Sequence, residues 1–146
     1  MTNKLKLAGL ILAAGLTSMS AQALANNASQ SITVFHDPSC GCCVGWINHM
    51  KEAGFSIKAI QTPHMGVVKD KLGVPQGLDS CHTAVVDNTG QLIEGHVPAS
   101  AVNKMIADSS VEGVAVPGMP VNSPGMGPMD GNLVTVDLNG QPFSKD

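Results

Sequence analysis

The sequence predicts a mixed α/β domain built in the order β-α-β-α-β-β-α, with a Pro/Gly/Met-rich C-terminal extension. Three observations predict it. Short β-branched or alternating segments (SITVFH, FSIKAIQ, HTAVVD) are interleaved with stretches whose apolar residues recur every three to four positions. Glycines stand where the first two helices should stop, at Gly54 and Gly73. A turn signal, Asn88-Thr89-Gly90, separates two strand-like runs as a hairpin.

The elements follow in order. Residues 31–36 are β-branched and apolar and read as the first strand. Asp37-Pro38-Ser39 is a turn, and Gly41 keeps the next stretch permissive. From Cys43 the pattern becomes helical, with Val44, Ile47 and Met50 on one face. Residues 55–61 alternate and read as a second strand. Thr62 or Pro63 opens a short helix to about Leu72, and Val74-Pro75 begins a loop to Ser80. Residues 82–87 and 91–94 form the hairpin strands. Pro98 fits the first position of a helix running to about Asp108. Residues 113–129 (GVAVPGMPVNSPGMGPM) cannot form a regular helix. Val114 and Val116 at alternate positions suggest an extended stretch packed on the body. Residues 133–138 (LVTVDL) read as a last strand, at an edge. A parallel pair with a helical crossover, then a hairpin and a last helix, is the thioredoxin-like topology. Its redox motif lies at the start of the helix after the first strand, where Cys40-Gly41-Cys42-Cys43 falls.

Residues 1–25 carry the three parts of a secretory signal peptide: Lys4 and Lys6, an apolar run over 7–16, and Ala23-Leu24-Ala25 as a small-x-small cleavage site. The apolar run would span roughly 15 Å as a helix, against a bilayer core of about 30 Å, so it is too short for an anchor. Residues 26–30 are a loose leader and 31–146 the thioredoxin-like domain. Export places the protein in the periplasm, with no membrane association after signal removal. The chain has 8 basic and 11 acidic residues and no arginine. Without Lys4 and Lys6 the mature form is more acidic still. An arginine-free acidic chain is a poor binder of nucleic acid and of anionic membranes.

Four cysteines in an exported chain ordinarily suggest disulfides. Here three of them fall within four residues, and closing so short a loop removes little unfolded-state entropy. The cluster is better explained by chemistry. Cys40 and Cys43 form a C-x-x-C pair at a helix start, where the dipole and free N–H groups favour thiolate. They are the candidate redox pair. Cys42 is superfluous to dithiol exchange but useful to a metal, since thiolates bridge soft ions. In the thioredoxin-like topology the loop entering the third strand lies beside the motif and usually carries a proline. Pro75 comes too early; Cys81 stands near that position, so its thiol should approach the other three. The alternatives are a buried core cysteine or a disulfide. Thiolate and thioether ligands select copper(I), with zinc as the lesser alternative. His82, His96, Met119 and Met126 are candidate accessory ligands. His36 precedes the turn into the motif. His49, His64, Met50, Met65 and Met105 fit helix surfaces or the core.

The runs PSCGCCVGW, SCHTAVV, EGHVPA and VPGMPVNSPGM, in this order and spacing, resemble the CopG-type copper-resistance proteins. The resemblance covers most of the mature chain, from about Thr33 to Met126. It implies a thioredoxin-like, periplasmic protein whose Cys40, Cys42, Cys43 and Cys81 hold a thiolate-bridged copper cluster of more than one ion. A redox role toward copper, and exchange with other copper-handling proteins, would go with it. The other reading of the residues is a periplasmic thiol–disulfide oxidoreductase acting on protein partners.

Overall fold

The computed structural model describes residues 30–146; residues 1–25, where a signal peptide is expected, and residues 26–29 of the expected leader lie outside the described residues. Strand β1 (Ser31–His36) runs into helix α1 (Gly41–Glu52), then β2 (Ser56–Gln61) and α2 (Met65–Leu72). Next come the hairpin β3 (His82–Val86) and β4 (Leu92–Gly95), and helix α3 (Ala99–Ile106). Three further strands close the chain: β5 (Gly113–Val116), β6 (Val134–Asp137) and β7 (Pro142–Lys145).

The seven strands among the described residues form one mixed sheet in the order β2-β1-β3-β4-β5-β6-β7. β1 pairs parallel to β2 and antiparallel to β3, with His36 opposite His82. β3 and β4 form the antiparallel hairpin. The mixed α/β class and the first seven elements thus stand as the sequence predicts. Boundaries move by a residue or two, as capping geometry dictates. Helix α1 begins at Gly41 rather than Cys43, because the Cys40 side chain caps it: Cys40 Sγ accepts from the Cys43 N–H at 3.3 Å. Cys42 and Cys43 therefore lie inside the first helical turn. Pro98 is the N-cap of α3, not its first residue, and α2 starts at Met65.

In the C-terminal part the extended, packed stretch expected around Val114 and Val116 is present, while the strand order beyond it differs. Gly113–Val116 is a true strand, parallel to β4 and buried throughout. The predicted last strand is not an edge: β6 lies between β5 and β7, and β7 is the edge. β7 was missed because PFSK is short and starts with proline; the Asn139-Gly140 turn before it, with Gly140 at φ 78°, was the available signal.

One face of the sheet carries α1 and α3 over the core. Trp46, Ile47 and Met50 of α1 and Val102 and Met105 of α3 pack with Ile32, Val34, Ala84, Val86, Ile93, Val114 and Val116. Each buried Val, Ile or Met among them contributes about 1.5–3 kcal/mol. Two hydrogen bonds lock α1 to the start of α3. Trp46 Nε1–H donates to the Val97 carbonyl at 2.8 Å, and the Ala99 N–H donates to His49 Nε2 at 3.1 Å. On the opposite face, Lys69 of α2 reaches Thr83, while α2 buries no residue fully. No helix among the described residues is long and apolar enough to cross a membrane.

Candidate metal centre

The turn that launches α1 is locally determined. Asp37 Oδ1 accepts from the Ser39 N–H at 2.8 Å, and the Asp37 carbonyl accepts from the Cys40 N–H at 3.1 Å. This sets Cys40 at the helix N-terminus, at the end of the sheet where the β3 strand begins. Cys40 and Cys43 are joined by a disulfide; Cys42 and Cys81 are free.

Cys81 reaches the motif from the far part of the chain. Its Sγ lies 3.5 Å from Cys43 Sγ and 4.0 Å from Cys42 Sγ, and Cys42 Sγ is 3.5 Å from Cys40 Sγ. All four sulfurs fall within 4.8 Å of one another. Cys81, His82 and His96 form a second group of the same compactness, so Cys81 belongs to both. His96 Nε2 stands 2.9 Å from Cys81 Sγ and His82 Nδ1 stands 3.3 Å away. Although Cys81 and His82 are adjacent, both side chains reach this group; Cys81 precedes the strand, so strict strand alternation does not apply to it.

The tautomer of His96 follows from its other nitrogen. Nδ1 lies 2.7 Å from the Pro124 carbonyl, which can only accept, so Nδ1 carries the hydrogen. In the neutral ring Nε2 is then bare and takes the Cys81 S–H. Burial lowers the His96 pKa, against a smaller opposing effect of Pro124, and so favours this neutral ring. His82 is wholly buried, 4.5 Å from Trp46 and 4.9 Å from His96 between ring centroids. Burial first, then the nearby His96, Lys69 and His36, holds its pKa well below the ordinary 6.5. Its Nε2 has no hydrogen-bond partner among the described residues. Burial, with Cys42 adding, pushes the Cys81 thiol up to about 12. Cys81 is therefore protonated at neutral pH, and any metal must displace that proton.

The segment between β5 and β6 is a strap across this centre. The Gly118 N–H donates to the Asp79 carbonyl, beside Cys81, and Pro124 holds His96. Gly125 lies against α1, where a Cβ would stand 2.5 Å from Trp46 N and 2.6 Å from Cys42 O. Met119 is 54% exposed on the strap, and Met126 is half-buried next to Gly125. Met50 and Met105 are core residues and His64 is exposed. Pro124, Gly125 and Trp46 were missed as site residues. The SPG triplet in a Pro/Gly-rich run was the available signal for the first two.

The buried histidines give the metal-free protein an acid limit. In the unfolded chain each protonates near 6.5; in the fold both resist. Below that pH the unfolded state binds more protons, so stability is present above about 6.5 and lost as pH falls toward the folded pKa values. The slope approaches about 1.4 kcal/mol per pH unit per histidine. Denaturant midpoints at pH 7.5 and 5.5 check this: the lower pH should give the lower midpoint, and the Asn variants of His82 and His96 should lessen the difference.

Together these features define an α/β protein with a four-sulfur, two-imidazole candidate metal centre under a glycine-rich strap. Two solved structures of this build compare closely. Copper resistance protein CopG, form 1, is 40% identical with a TM-score of 0.68, covering 80% of this chain and 96% of that one. Form 2 is also 40% identical with a TM-score of 0.70, covering 80% and 98%. Residues 78–126 match a family described as a protein of unknown function, DUF411. No curated protein matches. The chain belongs to the CopG-type copper-resistance family, and its cysteine cluster fits copper binding.

Proposed function

We propose that this chain is an exported copper(I)-binding protein of copper resistance, holding more than one ion on a thiolate cluster of Cys40, Cys42, Cys43 and Cys81. The observation that carries this reading is the convergence of four sulfurs within 4.8 Å. Sulfur is the donor copper(I) prefers, and sulfurs this close can bridge ions. His96 and His82 would supply accessory nitrogens through Cys81, and Met119 and Met126 accessory thioethers. A four-thiolate set also suits zinc, but the 40% identity to copper resistance proteins favours copper. The β2-β1-β3-β4 order supports a thioredoxin-like frame. The N-terminal pattern of residues 1–25 supports export to the periplasm, where other copper-handling proteins would donate or accept the metal.

The Cys40–Cys43 disulfide supports a redox part. Reducing Cys40–Cys43 takes two electrons and two protons and returns all four cysteines to thiols. In the other direction, oxidising the pair releases two electrons and two protons, enough to reduce two copper(II) ions to copper(I). Anaerobic titration of reduced mature protein, followed by elemental analysis, tests the reading. More than one copper per chain should survive a moderate chelator; protein that retains none sinks it.

The disulfide at the start of α1 also favours a second reading, a thiol–disulfide oxidoreductase acting on proteins. That reading needs only Cys40 and Cys43. Insulin reduction that persists in Cys42→Ser and Cys81→Ser, with copper binding lost, would separate the two activities.

A further inference from the structure

Cys81 lies in neither helix nor strand; it ends the 73–81 loop. A thiol in such a place needs something to fix it. Glu94 on β4 is wholly buried, and its carboxylate brackets the Cys81-His82 pair. Oε1 accepts from the Ser80 N–H at 2.7 Å, and Oε2 accepts from the Thr83 hydroxyl at 2.6 Å. Lys69 of α2 donates to Glu94 Oε1 and, at 2.9 Å, to Thr83 Oγ1. Ser80 Oγ in turn donates to the Gly118 carbonyl of the strap.

A buried ion pair is a weak means of stabilising a fold, because desolvation offsets its attraction; apolar replacements of similar volume are often neutral. What the carboxylate does supply is position. It grips the chain one residue before Cys81 and two residues after it. We propose that Glu94, charge-balanced by Lys69, is the positioning residue that holds Cys81 within reach of Cys43 and Cys42. This rests on reading the four sulfurs as one working centre, but its test measures no copper, so failure of the copper reading leaves the result intact.

Cys40→Ser and Cys42→Ser together leave Cys43 and Cys81 as the only thiols, with serine a sound helix cap at position 40. The equilibrium of their disulfide with glutathione measures the effective concentration of one sulfur at the other. Three mature chains are compared in that background: Glu94 and Lys69 intact, Glu94→Gln with Lys69→Met, and Glu94→Leu with Lys69→Met. The amide keeps an acceptor for Ser80 N–H and a partner for Thr83; leucine keeps neither. Denaturant unfolding of each reduced form is recorded alongside. The glutamine chain should stay within about threefold of the intact one, while the leucine chain, having lost two hydrogen bonds, should fall at least about tenfold yet still unfold cooperatively. Equal values in the intact and folded leucine chains overturn the proposal, as does an equal loss in glutamine and leucine. If the leucine chain does not fold, Thr83→Val replaces it: a fall of about fivefold, one hydrogen bond's worth, supports the proposal and no fall overturns it.

Discussion

Replacing Cys81 by serine is expected to weaken copper(I) retention by at least about 100-fold, more than the 10- to 100-fold typical of losing a partner outside the ligand shell. Cys81 is the one thiol from outside the α1 motif, 3.5 Å from Cys43 and 4.0 Å from Cys42. It is also the sulfur that both imidazoles face. A serine oxygen is a hard donor that copper(I) does not favour. The three remaining sulfurs all come from one helix start and cannot enclose an ion from two sides. Cys81 is outside the apolar core, so the metal-free fold should change by no more than about 1 kcal/mol. Anaerobic competition with a chromophoric chelator and a denaturant titration read the two effects separately. Unchanged affinity in a folded variant removes Cys81 from the ligand set.

Gly125→Ala should have the second-largest effect, on stability and on the site together. Gly125 has φ 86°, and its Cβ would stand 2.5 Å from Trp46 N and 2.6 Å from Cys42 O. Both are backbone atoms of α1 and cannot swing aside. The left-handed backbone costs a non-glycine residue about 1–3 kcal/mol, and the forced contact about 1–3 kcal/mol more. A melting temperature at least about 8 °C lower is expected for a domain of this size. The strap would lift, taking the Pro124 carbonyl from His96 Nδ1 and freeing the ring to turn. Gly131→Ala is the control: φ is 76°, but nothing lies within 4 Å of its Cβ. Its cost should be the backbone contribution alone, about 1–3 kcal/mol. Equal losses in the two variants would show that close approach is not what Gly125 provides.

Some of this was legible in the residue order because the physics involved is local. β1, β2 and β3 show alternation or β-branching, and α1 shows three-to-four spacing with a glycine just past its end. The Cys40-Gly41-Cys42-Cys43 cluster is contiguous, so its chemistry could be read without a fold. The approach of Cys81 required only the order of the first elements. β7 was missed because four residues beginning with proline carry no period. The inward place of β6 was missed because that place depends on β7. The alternation of Val114 and Val116 marked an extended, packed stretch, but its parallel pairing with β4 is a long-range contact that residue order does not show.

Residue order alone carries the mixed α/β class, the three vicinal sulfurs at a helix start, and the soft-donor chemistry of the residues around them. Long-range packing is what makes His96 present a bare Nε2 to Cys81, sets Pro124 and Gly125 as a clamp on this side of the centre, and lets Glu94 grip the loop carrying Cys81. The reason is range. Turns, caps and periodicity act over a few residues, while His96–Pro124, Gly125–Trp46 and Glu94–Ser80 join positions far apart in the chain. Those contacts exist only once strand register and strap path have been set.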